Sequence, residues 1–154
     1  MTLFLIRHAH AVAAAEDAER PLSPRGRKQV RRLAAFLAKS GALDTAEIWH
    51  SPLARSRQTA QQLVERLGLD VKLVEVDGLL GDSDPAGIAE RLQTRRTPLA
   101  LVGHEPHLGA LASLLVFGAK TPARFVVKKC AVIALEKRTT TWAVRWLVSP
   151  EIVD

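Results

Sequence analysis

The sequence predicts an α/β fold, a three-layer α/β/α sandwich built around a mainly parallel central sheet. Two observations support this prediction. Short apolar runs alternate with helical stripes along the chain, and turn residues close most of these stripes. The 154 residues contain no internal repeat and no low-complexity linker, so we expect a single domain over residues 1–154. The last two strands leave room for one antiparallel strand at the edge of the sheet.

Six short runs rich in β-branched and other apolar residues predict the strands. The first run stops at Arg7-His8, as expected for a buried strand that ends at a loop. The only cysteine, Cys130, lies inside the fifth run, where we expect a buried and inert thiol. The predicted strands are residues 2–6, 46–49, 71–76, 99–102, 125–135 and 141–148.

Four stripes of apolar residues at helical spacing predict the helices between these strands. Residues 11–24 predict a loop, and Ser23-Pro24 then supplies an N-cap followed by proline at the first helical position. The third helix, residues 86–93, is the shortest and follows a polar loop. The other three helices end at glycines, which are Gly41, Gly68 and Gly118.

Composition narrows the classes of ligand. Lys and Arg total 22 and the formal net charge is +6, which favours an anionic ligand or partner. Aromatic residues make up 5% and tyrosine is absent, so stacking platforms for nucleic acid are hard to build and we expect no nucleic-acid partner. No apolar run is long enough to span a bilayer and no leading segment is of secretory type, so we expect a cytoplasmic monomer.

The side chains that point to chemistry follow the predicted strands directly. Arg7-His8 follow the first strand, Arg55 and Arg57 follow the second, and His104 follows the fourth. In an open parallel sheet, ligands bind at the carboxyl ends of the strands, where these residues meet. Arginine binds phosphate oxygens bidentately, and neutral imidazole is a nucleophile toward phosphorus. The pattern therefore predicts a phosphate site with a histidine able to accept a phosphoryl group.

Four motifs occur in order within residues 3–106. They are Leu5-Ile6-Arg7-His8-Ala9, Leu22-Ser23-Pro24-Arg25-Gly26, the segment 51–60 that reads SPLARSRQTA, and Leu101-Val102-Gly103-His104-Glu105-Pro106. They resemble the motifs of the histidine phosphatase (phosphoglycerate mutase-like) superfamily, although Ala9 stands where the family usually has glycine. The short chain resembles the small SixA-type branch, which acts on phosphohistidine in signalling proteins.

The resemblance implies a role for each matching residue. His8 is the expected phosphoryl acceptor, Arg7 and Arg55 the expected phosphate ligands, and His104 the residue expected to stabilise charge on the transferring group. His10 and His107 are further candidates for contacts with the substrate. Water is expected to hydrolyse the phosphohistidine formed on His8, and the family needs no metal or other cofactor.

The general acid is the point where the sequence departs from larger members of the family. They carry a glutamate after the third strand, where this chain offers only Asp77, Asp82 and Asp84. An alkoxide leaving group needs a proton, since its conjugate acid has a pKa of roughly 15, near that of water. Imidazole leaving from phosphohistidine can already be protonated near neutral pH. The sequence therefore favours a phosphohistidine-bearing protein as substrate.

Three alternatives remain at this point. A phosphomonoesterase acting on a sugar phosphate or nucleotide requires one of the three aspartates as acid. A non-catalytic phosphate-binding module is disfavoured because both motif histidines are present. A metal site built from the His8/His10 pair with His50, His104 or His107 is disfavoured, since the nearby arginines repel a cation.

Overall fold

The computed structural model of the chain describes residues 1–153. The structure has six strands and four α-helices. Each of the first four strands is followed by a helix, and the last two strands follow each other directly. Two short 3-10 helices cover Asp17–Glu19 and Pro150–Ile152. The strands are β1 (Thr2–Arg7), β2 (Glu47–His50), β3 (Lys72–Glu75), β4 (Leu99–Gly103), β5 (Val132–Lys137) and β6 (Trp142–Val148). The helices are α1 (Pro24–Ser40), α2 (Ala54–Leu67), α3 (Pro85–Gln93) and α4 (His107–Phe117).

One six-stranded sheet has the order β3-β2-β4-β1-β5-β6. The pairs β3–β2, β2–β4 and β4–β1 are parallel, while β5 is antiparallel to both β1 and β6. The predicted α/β class with a mainly parallel sheet is confirmed. The strand that runs against the others is β5, one place in from the edge, because β6 pairs along its outer side.

The helices cover both faces of the sheet. Side chains of β1 alternate, so Phe4 and Ile6 enter a core packed by α1 and α2, while Leu3 and Leu5 enter a core packed by α3 and α4. This gives the three layers that the alternation of elements predicts. Within residues 1–153, no helix is long and apolar enough to cross a membrane.

The segment before β5 is where the strand prediction was wrong. β5 begins at Val132, and Cys130 has a positive φ of 61°, a left-handed conformation that breaks a strand. The Cys130 N–H contacts the carbonyl oxygens of Arg7 (3.1 Å) and His8 (3.2 Å), so this turn folds over the end of β1. Burial raises the pKa of the Cys130 thiol to about 12, as expected for an inert thiol.

The start of α1 confirms the predicted cap and explains one glycine. Ser23 Oγ accepts a hydrogen bond from Gly26 N (2.9 Å), and Pro24 is the first helical residue. A Cβ on Gly26 would lie 2.0 Å from the carbonyl oxygen of His10, so only glycine fits there. The motif around Leu22–Gly26 therefore fixes α1 against the loop that follows β1.

Candidate active site

The neighbouring strands β2, β4 and β1 bring three loops together at their carboxyl ends. His8 follows β1, His104 follows β4, and Arg55 lies in the first turn of α2 just after β2. They line a cleft with a volume of about 370 Å³. Its lining residues are His8, Asp17, Arg20, Leu53, Arg55, Leu80, Gly81, Asp82, His104, Glu105 and Lys129.

His8 is buried, and its ring orientation is fixed from one side. Nδ1 donates a hydrogen bond to the carbonyl oxygen of Ala9 (2.7 Å), because a carbonyl oxygen can only accept. The proton of the neutral ring therefore sits on Nδ1, and the lone pair on Nε2 is available. The Ala9 methyl packs in the core, and Ala9 N donates to Thr59 Oγ1 (3.0 Å). Alanine in place of glycine therefore leaves the cleft side of this turn unobstructed.

Burial keeps both cleft histidines neutral at physiological pH. It lowers the pKa of His8 to about 3, with smaller contributions from the charges of His104, Lys129 and Arg55. It lowers the pKa of His104 to about 4, helped by the nearby Arg55 guanidinium. The ring centroids lie 4.9 Å apart. The cleft thus presents two uncharged imidazoles, and an uncharged ring is the nucleophilic form.

Ser51 holds His104 and was given no role by the sequence analysis. Its Oγ lies 2.6 Å from His104 Nε2, and both residues are buried. Leu53 N also donates to Ser51 Oγ (3.4 Å). The other ring nitrogen, His104 Nδ1, is buried and has no hydrogen-bond partner among the described residues. Ser51 opens the SPLARSRQTA segment, so its position in that motif was the available signal.

Two arginines reach this end of the sheet by different routes. Arg55 is buried, and its guanidinium donates to the Asp17 carbonyl oxygen (3.0 Å) and pairs with the Asp17 carboxylate (3.3 Å). Arg7 lines the neighbouring groove and not the cleft. It donates from Nη1 to the carbonyl oxygen of Val127 (2.8 Å), and its buried Nε has no partner among the described residues. Arg57 does not line the cleft. The contact with Asp17 holds the Arg55 side chain in place, and the prediction of a loop over residues 11–24 gave no indication of it.

The structure separates the three aspartates proposed as general acid. Asp82 lines the cleft mouth. Asp77 is exposed and does not line the cleft. Asp84 caps α3 through Ala86 N (3.0 Å) and pairs with Lys120 (3.2 Å), contacts that lower its pKa.

Glu105 is a cleft carboxyl group that is not among the candidate general acids predicted from the sequence. Burial raises its pKa, whereas a hydrogen bond from Gly109 N (2.6 Å) and the charge of Arg7 oppose that rise. Gly81 lies so close that a Cβ there would be 2.8 Å from the Glu105 carbonyl oxygen. The signal was its place beside His104 in the fourth motif.

The two remaining predicted substrate contacts lie outside the cleft. His10 is half-buried, with Nδ1 2.6 Å from Ser23 Oγ, and it lines a neighbouring groove. His107 begins α4, is only 1% exposed and does not line the cleft. No group of three or more His, Cys, Asp or Glu within residues 1–153 is placed to hold a metal ion.

Comparison with known proteins identifies relatives of this chain. The model of the histidine phosphatase superfamily (branch 1) matches residues 3–79. An uncharacterized protein of Picosynechococcus sp. is 34% identical over 145 residues, covering 88% of this chain and 84% of that protein.

Solved structures share the fold. The protein histidine phosphatase SixA complexed with tungstate has a TM-score of 0.86, with 24% identity and 97% of each chain covered. Phosphoserine phosphatase from Entamoeba histolytica, in complex with 3-phosphoglyceric acid, has a TM-score of 0.70, with 17% identity and 96% of each chain covered. The same architecture therefore carries phosphatases with different substrates, so the substrate has to be argued from the site.

Proposed function

This chain belongs to the histidine phosphatase superfamily and is a phosphatase, and we propose that its substrates are phosphohistidine side chains of other proteins. Within the family, this is the activity of the small SixA-type branch, whose fold it shares. The choice of substrate rests on the contacts and pKa shifts of the carboxyl groups that line the cleft.

Two of the three cleft carboxyl groups are poorly suited to deliver a proton. Asp17 is engaged by Arg20 and Arg55, which lowers its pKa. Asp82 is exposed at the cleft mouth. Burial raises the pKa of Glu105, but one of its carboxylate oxygens already accepts a hydrogen bond from Gly109 N, and that contact and the charge of Arg7 oppose the rise. A leaving group that needs little help from an acid, such as the imidazole of phosphohistidine, fits this cleft best.

The proposed reaction begins with the lone pair on His8 Nε2. It attacks phosphorus in line with the bond to the substrate imidazole, and that P–N bond breaks as its electron pair returns to the ring nitrogen. The leaving ring departs as neutral imidazole because its other nitrogen has already taken a proton from solvent. The charge on the phosphoryl oxygens is met by Arg7 and Arg55. Water then attacks phosphorus, releases inorganic phosphate and returns the lone pair to His8.

Ser51 gives His104 a defined part in this step. If the Ser51 hydroxyl donates to His104 Nε2, the ring proton sits on Nδ1, which has no hydrogen-bond partner within residues 1–153. That N–H can donate to a phosphoryl oxygen as negative charge builds up in the transition state. Because the pKa of His104 is about 4, its ring is neutral at pH 7, and a neutral ring still has the one N–H that this role requires.

The second candidate is a phosphomonoesterase, and the observation favouring it is the raised pKa of Glu105. A half-buried carboxyl group beside the nucleophile is a possible acid for an alkoxide leaving group. Its test is the substrate range of the enzyme. Glu105→Gln should leave phosphohistidine hydrolysis within about threefold of wild type if no acid is needed, but should lower hydrolysis of an aliphatic monoester about 100-fold if Glu105 is the acid.

The nucleophile is tested by trapping the phosphoenzyme. After brief reaction with a phosphohistidine-bearing carrier protein in EDTA, alkaline quenching and peptide mass spectrometry should find one phosphoryl group on His8. His8→Ala should abolish the label and phosphate release, whereas the matched variant His10→Ala should keep both. A label that persists in His8→Ala would refute the assignment, and preferential turnover of an aliphatic monoester would refute the proposed substrate.

A further inference from the structure

A groove lined mainly by cations lies beside the catalytic cleft. We call it the basic groove and define it by its cationic side chains, which come from the end of β1, one face of α1 and the turn before β5. Its volume is about 430 Å³. Lys129 lines both the groove and the cleft, so the two are adjacent. The cationic side chains are Arg7, Arg25, Lys28, Arg32, Lys128 and Lys129.

Most of these cations lack a carboxylate partner among the described residues. Within residues 1–153, Arg25, Lys28, Lys128 and Lys129 form no ion pair with a carboxylate, and Glu151 is the one acidic residue that lines the groove. Burial lowers the pKa of Lys129, and the neighbouring charges of Arg7, Arg20, Arg55 and Arg25 lower it further. Like charges held this close repel one another, and a bound anion would remove that cost.

The placement of the cations on α1 is also unfavourable without an anion. Arg25 and Lys28 lie in the first turns of α1, where the helix dipole disfavours positive charge, and the first turn contains no acidic residue. Arg25, Lys28 and Arg32 recur at i, i+3 and i+7, so they lie along one face of the helix. A surface that opposes both the helix dipole and its own charges suits an anionic partner.

We propose that the basic groove docks an acidic protein surface, a patch of Asp and Glu side chains next to the phosphohistidine that enters the cleft. This inference rests on the proposed function and extends it to the substrate protein. The stretch from Arg25 to Arg32 spans about 10 Å of α1, which suits several carboxylates better than one phosphate group. Arg25, Lys28 and Lys128 are exposed, which is typical of a protein-docking rim and unlike a cradle for a small ligand.

Charge reversal inside and outside the groove provides the test. The groove variant is Lys28→Glu/Lys128→Glu, and its control is Arg31→Glu/Arg145→Glu, which changes net charge equally at exposed positions outside the groove. The substrates are an acidic phosphocarrier protein, phosphorylated on histidine, and free phosphohistidine. At low salt, the groove variant should raise KM for the protein by about tenfold, with kcat and turnover of free phosphohistidine within about twofold of wild type.

The control variant should stay within about twofold of wild type on both substrates, and about 0.5 M NaCl should remove most of the difference between the variants. Equal loss in the two variants would mean that net charge, and not the groove, attracts the partner. If the groove variant lost activity on free phosphohistidine as strongly as on the protein substrate, the groove would belong to the catalytic machinery. Either result would overturn the proposal.

A binding measurement separates this proposal from the proposed function. Fluorescence anisotropy with a labelled polyglutamate of about twenty residues needs no catalysis, and binding should weaken about tenfold in the groove variant only. If wild type binds it through the groove but hydrolyses no phosphohistidine, the proposed function fails and the affinity of the groove for carboxylates stands. If a single-stranded oligonucleotide binds in the groove more tightly than polyglutamate, the docking proposal is overturned.

Discussion

The catalytic cleft and the basic groove lie side by side and share Lys129, yet they are built in opposite ways. In the cleft, His8, His104 and Arg55 are buried, and each is held by a contact with its own loop or a neighbouring one. In the groove, Arg25, Lys28 and Lys128 are exposed and carry no ion pair within residues 1–153.

This difference separates chemistry from recognition. Phosphoryl transfer requires donors that already point at the charge developing in the transition state, so cleft side chains are held by Ala9, Ser51 and Asp17 before substrate arrives. Recognition of a protein surface tolerates mobile side chains, because long-range attraction acts without fixed geometry. We therefore expect cleft substitutions to lower kcat and groove substitutions to raise KM.

The largest effect is expected where the cleft needs a planar cation. Arg55→Lys keeps the charge but removes the planar fork that we propose binds phosphate, together with the contacts to Asp17, so kcat/KM should fall about 100-fold. Arg57→Lys, two positions further along α2 and outside the cleft, is the matched control and should stay within about twofold. Steady-state kinetics on free phosphohistidine measures both, and similar losses would mean that the arginines act through the stability of α2.

A smaller effect is expected from the residue that orients His104. Ser51→Ala removes the hydroxyl group beside Nε2, and kcat should fall about tenfold with little change in KM. Ser113→Ala is the matched control, because Ser113 is equally buried but its Oγ accepts a hydrogen bond from Arg124 N. NMR of the His104 ring should show an altered tautomer only in Ser51→Ala. Unchanged ring signals with lowered kcat would contradict a positioning role.

The sequence predicted those parts of the cleft that depend on strand ends. Buried runs end at Arg7-His8 and before His104, and parallel strands bring such ends together whatever the loops do. The sheet order and the outer pairing of β6 were beyond reach, because strand pairing depends on long-range packing and not on local pattern. The strand forecast for residues 125–131 failed because a left-handed Cys130 cannot be recognised from apolar neighbours.

Residues that act through another residue were the least predictable part of the site. Ser51, Asp17 and Glu105 gain their importance from partners that are distant in sequence or from a local turn, and no periodicity encodes those contacts. The basic groove was only partly predictable. From sequence, its cations on α1 favour an ordinary solvated face, with a docking surface for an acidic partner as the alternative. The turn that places Lys128 and Lys129 beside them is set by the fold.

The smallest effect on activity is expected at His107, a buried histidine outside the cleft. Its substitution tests whether burial alone indicates a catalytic role. His107 is as buried as the cleft histidines, but both of its ring nitrogens lack a partner among the described residues. Burial lowers its pKa to about 4, so folding stability is lost as pH falls from about 6.5, the pKa in the unfolded chain, towards 4. At pH 5 the free energy of unfolding is about 2 kcal/mol lower than it would be without this pKa shift.

His107→Leu removes both the unpaired nitrogens and the proton uptake on unfolding. The free energy of unfolding should rise by about 1 kcal/mol at pH 7 and by about 3 kcal/mol at pH 5, measured by urea denaturation. Phosphatase activity at pH 7 should remain within about twofold of wild type, since the ring does not line the cleft. A loss of activity without a loss of stability would instead place His107 with His8 and His104, because burial and contact with substrate would then coincide.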